Sequence, residues 1–124
     1  MSEIEIDIRK NRLYLTLTGW KKADMPAYVR KIESACRTLN PGFTCLTVFQ
    51  KRGKLNRKDN DLFFNTTGLI SAYGASKVVI IYKDKGGRKS SLAAILHDYK
   101  AFIPVQRALN KKQAENILDG KTVN

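Results

Sequence analysis

The sequence predicts an α/β fold: a mixed, mostly parallel sheet opened by an N-terminal β-hairpin and flanked by about four helices. Three observations predict it. Two adjoining segments, Glu3–Arg9 and Leu13–Thr18, alternate apolar and polar residues with the period of a half-buried strand. Beyond Gly19, strand-like runs alternate with amphipathic helical ones, the order expected of parallel strands joined by crossovers. Val78-Val79-Ile80-Ile81-Tyr82 is apolar at every position, as a strand covered on both faces must be. The chain has 124 residues, 43% of them hydrophobic and 27% charged. That is the size and make-up of one globular domain, spanning residues 1–124.

The elements follow in order. Lys10-Asn11-Arg12 separates the first two strands and reads as the turn of an antiparallel hairpin. Asp24 is an N-cap type, and Pro26 fits a first turn. Met25, Tyr28, Val29, Ile32, Cys36 and Leu39 then recur every three or four residues, which is one face of a helix. Asn40-Pro41-Gly42 stops that helix, and Phe43–Phe49 is the third strand. Residues Lys51 to Asn60 read as a polar loop. Asn60 or Asp61 begins a second helix with Leu62, Phe63, Thr66, Ile70 and Tyr73 facing inward and Gly74 just past its end. Lys77–Lys83 contains the fully apolar strand, and Asp84–Lys89 is a loop. Ser90 or Ser91 caps a third helix that turns Leu92, Ile95, Leu96 and Tyr99 inward. Ala101–Val105 is a short strand, held to an edge because Pro104 has no N–H to give a ladder. Asn110 with Gln113 three residues on is a near capping box for a last helix, with Ala114, Ile117 and Leu118 inward.

Composition excludes several functional classes. The N-terminus has neither the basic nor the apolar region of a signal peptide, and no apolar run approaches the ~20 residues of a membrane span. The expectation is a cytoplasmic protein with Cys36 and Cys45 reduced and buried. Two cysteines and one histidine supply no metal-ligand pattern, and no cofactor is implied. A hydrolase triad could be composed from Ser90, His97 and Asp98, yet no Gly-x-Ser-x-Gly elbow supports it. The protein is therefore read as not an enzyme.

Charge is the outlying property. Lys and Arg number 23 against 11 Asp and Glu, a formal +12. Residues 1–12 hold three acids and three bases, so the whole excess lies beyond them. It concentrates in two places. Lys51, Arg52, Lys54, Arg57 and Lys58 crowd the loop after the third strand. Lys85, Gly86, Gly87, Arg88 and Lys89 follow the apolar strand and lead into a helix start, where glycines free backbone amides to point at an anion. The second segment is not a P-loop, since the leading glycine of that motif is missing. In the expected topology both segments leave the carboxyl ends of parallel strands, where ligands bind in open α/β sheets. These ten residues are the candidate binding site, for a protein partner or an anionic ligand. A nucleic-acid-binding module acting through phosphate contacts is the second reading. A membrane surface ranks lower, for want of a basic amphipathic helix. The aromatics do not interleave with basic residues along one strand face, so no base-stacking signature is legible.

The element order resembles the STAS-like fold, in particular its SpoIIAA-like branch. The pieces that match are the hairpin Ile4–Leu17 closed by Gly19-Trp20, the helix Met25–Leu39, Phe43–Val48, Lys77–Ile81, and Phe102-Ile103-Pro104-Val105 followed by Lys111–Leu118. The resemblance implies a non-catalytic regulatory or interaction domain. Members that act as anti-sigma-factor antagonists carry a phosphorylatable serine where the third strand meets the second helix. Here that junction reads Phe49-Gln50-Lys51-Arg52-Gly53-Lys54, with no hydroxyl. Asn65-Thr66-Thr67-Gly68-Leu69 has similar letters but falls within the second helix, and would make Thr66 or Thr67 the acceptor.

Overall fold

In the computed structural model, which describes residues 3–17, 25–49, 57–82 and 103–120, the chain opens with an antiparallel hairpin. Strand β1 (Glu3–Asp7) pairs with β2 (Arg12–Leu17), setting Ile4 opposite Leu15 and Ile6 opposite Leu13. The first strand is shorter than its alternating pattern. Asp7 accepts the backbone N–H of Lys10 at 3.1 Å, and Asn11 takes φ 51°, a left-handed conformation that asparagine tolerates. The chain therefore turns at Ile8, whose side chain is 70% exposed despite being in phase with Ile4 and Ile6.

Helix α1 (Met25–Thr38) leads to β3 (Thr44–Phe49), and helix α2 (Arg57–Ala72) leads to β4 (Lys77–Tyr82). Strand β5 (Val105–Ala108) and helix α3 (Lys111–Leu118) complete the described chain. The sheet order is β1-β2-β3-β4-β5, antiparallel between β1 and β2 and parallel elsewhere. This is the expected mixed sheet. Each crossover steps one strand in the same direction, so right-handed connections place α1 and α2 on one face. Among the described residues α3 alone covers the other face. The expected helix near residues 90–100 lies outside the described residues.

Two boundaries differ from the sequence reading. Helix α2 begins at Arg57, not at Asn60 or Asp61. Capping-type residues suggested the later start, but Arg and Lys are strong helix formers and no Gly or Pro interrupts residues 57–60. Arg57 and Lys58 thus occupy a helix's first turn, not a loop. The closing strand runs Val105–Ala108 instead of Ala101–Val105. Proline explains the shift. The Pro104 carbonyl accepts from Val78 N at 3.0 Å, and the paired ladder starts at the next residue.

The apolar layer beneath α1 and α2 holds Leu13, Leu15, Ile32, Cys36, Phe43, Cys45, Ile70, Val78 and Ile80 among its buried members. The opposite layer holds Leu46, Val79, Ile81, Ala108, Ala114, Ile117 and Leu118. β4 feeds both, its Val78, Val79, Ile80 and Ile81 each at most 2% exposed, as its unbroken apolar run requires. Helix α2 ends in a Schellman turn. Gly74 N–H donates to Ser71, Ala75 N–H donates to Ile70, and Gly74 takes φ 101°. A Cβ on Gly74 would stand 3.1 Å from Pro41 Cα, so glycine also permits the close approach of the two helix ends.

Candidate functional site

The parallel strands end in a row. Leu17, Phe49 and Tyr82, the last residues of β2, β3 and β4, stand opposite one another in register. The last residue of β5, Ala108, pairs with Ile81, one position below that row. With strands about 4.8 Å apart, the four exits span about 14 Å. The segments that begin at the first three exits are rich in cations. Residues 18–24 contain Lys21 and Lys22, residues 50–56 contain Lys51, Arg52 and Lys54, and residues 83–89 contain Lys83, Lys85, Arg88 and Lys89. Only Asp24 and Asp84 oppose them there.

Of the ten candidate residues, Arg57 and Lys58 fall within the described residues. They open α2, the helix that returns from the exit of β3 to the amino end of β4. Lys51, Arg52, Lys54, Lys85, Gly86, Gly87, Arg88 and Lys89 lie outside the described residues. The structure adds two cations that sequence reasoning passed over. Lys111 and Lys112, both exposed, form the first positions of α3, with two residues between them and the end of β5. No acid stands in that first turn. Helix dipoles disfavour cations at this end. The capping pair was legible, since Asn110 accepts from Gln113 N at 2.8 Å while the Gln113 side chain accepts from Leu109 N at 2.7 Å. Which rim the helix begins on depends on the sheet order.

The far end of α3 is fastened by ion pairs. Arg12, at the first position of β2, is 2% exposed. Its guanidinium donates to Glu115 Oε1 at 2.9 Å, to Asp119 Oδ1 at 2.8 Å and to Thr44 Oγ1 at 2.9 Å. Lys10 Nζ meets Glu115 Oε2 at 2.9 Å, and Tyr14 donates its hydroxyl to Glu115 Oε1 at 2.8 Å. Burial works to raise the Glu115 pKa, but the hydrogen bonds from Lys10, Tyr14 and Arg12 outweigh it and hold it at about 2. The hydrogen bond from Arg12 likewise lowers Asp119. Burial opposes the charge on Arg12, yet its carboxylate partners leave its pKa raised. Helix α3 therefore carries paired acids at its carboxyl end and lysines at its amino end, against its own dipole at both.

Other candidate chemistry is placed as follows. Thr66 and Thr67 are 7% and 4% exposed within α2, closed to a modifying enzyme in the folded state. Cys36 and Cys45 are buried thiols, as expected, and burial pushes their pKa values up to about 11 and about 12. Ser90, His97 and Asp98 lie outside the described residues. Among the described residues no group of three His, Cys, Asp or Glu is placed to hold a metal ion, and no helix is long and apolar enough to cross a membrane.

No model of a known protein family matches the chain, and no characterised protein matches it.

Proposed function

We propose that the protein is a non-catalytic binding domain that takes an anionic partner along the carboxyl rim of its parallel strands. The observation that carries this reading is the register of Leu17, Phe49 and Tyr82, from which three cation-rich segments start side by side. Cations gathered on one rim add their fields, and a polyanion that neutralises several of them releases several counterions. Arg57 and Lys58 in the first turn of α2 supply further charge, and Lys111 and Lys112 extend it across β5. The resemblance to STAS-like domains points the same way, since it implies an interaction scaffold without a reaction to catalyse.

The test is retention on immobilised heparin with a salt gradient. Replacing Lys51, Arg52, Arg88 and Lys89 by Glu is expected to move elution to much lower salt. Thermal unfolding should shift by only a few degrees, since surface changes rarely exceed ~0.5 kcal/mol each. Retention equal to the parent protein overturns the reading.

A further inference from the structure

Beside α3, no described element covers the face of the sheet over β1 and β2. Two adjoining depressions lie there, of ≈ 490 Å³ and ≈ 280 Å³, and both are walled by Glu5, Tyr14 and Lys111. The larger runs along β1 past Asp7 and Ile8, and the smaller runs between β2 and β3 over Thr16 and Val48. Both are shallow and open to solvent, the larger more so, and would leave one face of a ligand wet. The Lys111 ammonium stands 5.8 Å from the centroid of the Tyr14 ring. Lys111 is also the first residue of α3, with two residues between it and the end of β5. Its backbone follows the β5 exit while its ammonium reaches down the sheet to Tyr14, so this one side chain joins the groove to the carboxyl end of the strands.

That junction discriminates among polyanions. A rim of lysines alone suits any of them. An acidic polypeptide brings carboxylates to the rim and no flat ring system for the groove. A nucleic-acid duplex keeps its bases stacked inside. A single strand brings phosphates and unpaired bases together, and proteins hold such strands by pairing a positive track with aromatic side chains. The polarity of the groove agrees. Glu5 stands opposite Tyr14 on β1, while α3 approaches over β3, β4 and β5. Phosphate is favoured on the lysine side. On the Glu5 side a carboxylate repels phosphate and accepts from the exocyclic amino groups of bases.

We infer that the anionic partner is single-stranded nucleic acid, its backbone on Lys111 and Lys112 and a base lying in the groove against Tyr14. The inference rests on the rim reading proposed above. Periodicity along a strand cannot reveal it, because the aromatic comes from β2 and the cation from a helix nearly the whole chain away.

The experiment uses the full chain and fluorescence anisotropy with labelled oligodeoxycytidylate, oligocytidylate, a DNA duplex of equal length, and polyglutamate, at low and moderate salt. The single strands are expected to bind at least about 10-fold more tightly than the duplex or polyglutamate. Tyr14→Leu should weaken single-strand binding about 10-fold, the scale of one lost stacking contact, and leave duplex binding unchanged. Tyr14→Phe keeps the ring, loses the hydroxyl bond to Glu115 and should bind as the parent does. Replacing Lys111 and Lys112 by Ala should lower the salt slope by about 1.4, two single-strand phosphate contacts' worth. Should Tyr14→Leu fail to fold, Thr16→Glu places a carboxylate in the groove wall and should weaken single strands selectively. Duplex or polyglutamate binding as tight as single strands overturns the inference, as does a folded groove variant that binds single strands normally. Polyanion binding without strand preference leaves the rim standing, whereas no binding by any probe at low salt removes both.

Discussion

The two faces of the sheet are held by different physics. Under α1 and α2, apolar side chains from both helices and four strands close over one another, with Leu13, Ile32, Phe43 and Cys45 fully buried. Among the described residues the layer under α3 is the smaller one, and the helix is two turns long with three inward residues. A helix that short is marginal by itself. It is fixed instead by Arg12, which ties Glu115 and Asp119 to the start of β2. The first face gains stability from area, which tolerates small displacements. The second gains it from a few directional contacts, which fix where α3 begins and so where Lys111 and Lys112 stand. A binding surface is better served by the second kind of support.

Cutting into each layer separates the two faces most directly. Phe43→Ala, at a fully buried site of the first face, is expected to cost about 3–5 kcal/mol in denaturant unfolding. Ile117→Ala on α3, 8% exposed at the start, should cost about 2 kcal/mol, the low end for such a truncation. Equal losses would mean that the two faces are packed alike.

Removing Arg12 tests the directional contacts. Deleting one partner of a buried ion pair costs about 3–5 kcal/mol, but here the carboxylates keep some contact with water. Arg12→Ala should therefore destabilise by about 2 kcal/mol, and Arg12→Met, which retains the apolar stem, by somewhat less. Amide exchange should quicken in α3 before it does in α1. If both helices loosen together, the ion pairs are not what holds α3.

The first face was legible in the sequence and the second only in part. Periodicity places Met25, Tyr28, Val29, Ile32, Cys36 and Leu39 on one face of α1; Tyr28, Ile32, Cys36 and Leu39 are buried and Val29 is half-buried. The unbroken run Val78–Ile81 announced a strand with two covered faces. Asn110, Gln113, Ala114, Ile117 and Leu118 sit as their spacing requires. Periodicity is blind to charge pairing across the fold. Arg12 read as a turn residue because its partners, Glu115 and Asp119, lie at the opposite end of the chain. The sequence reading does not single out Lys111 and Lys112, for the same reason. The strand exits at Phe49 and Tyr82 were placed on one rim by topology alone, and the register of β3 and β4 supports that placement. The start of α2 was misjudged because a capping residue inside a helix looks the same, in sequence, as one at its end.

The smallest expected effect is the most specific to the second face. Glu115 has a folded-state pKa of about 2 against an ordinary 4.5, set by Lys10, Tyr14 and Arg12 in opposition to burial. A carboxyl group with a depressed folded-state pKa binds more protons unfolded than folded over the interval between those values. Its contribution is complete above about pH 4.5 and is lost as the pH falls toward 2. Asp119, lowered by the same Arg12, adds a loss of the same sign. The unfolding midpoint should accordingly fall across that interval, and Glu115→Gln should flatten the dependence while lowering stability at neutral pH. Phe43→Ala should leave the slope as it is, because no titrating group faces water through that change. Parallel acid profiles for Glu115→Gln and the parent would place the titrating carboxylates elsewhere and leave α3 held by its apolar contacts, making the two faces differ in extent but not in kind.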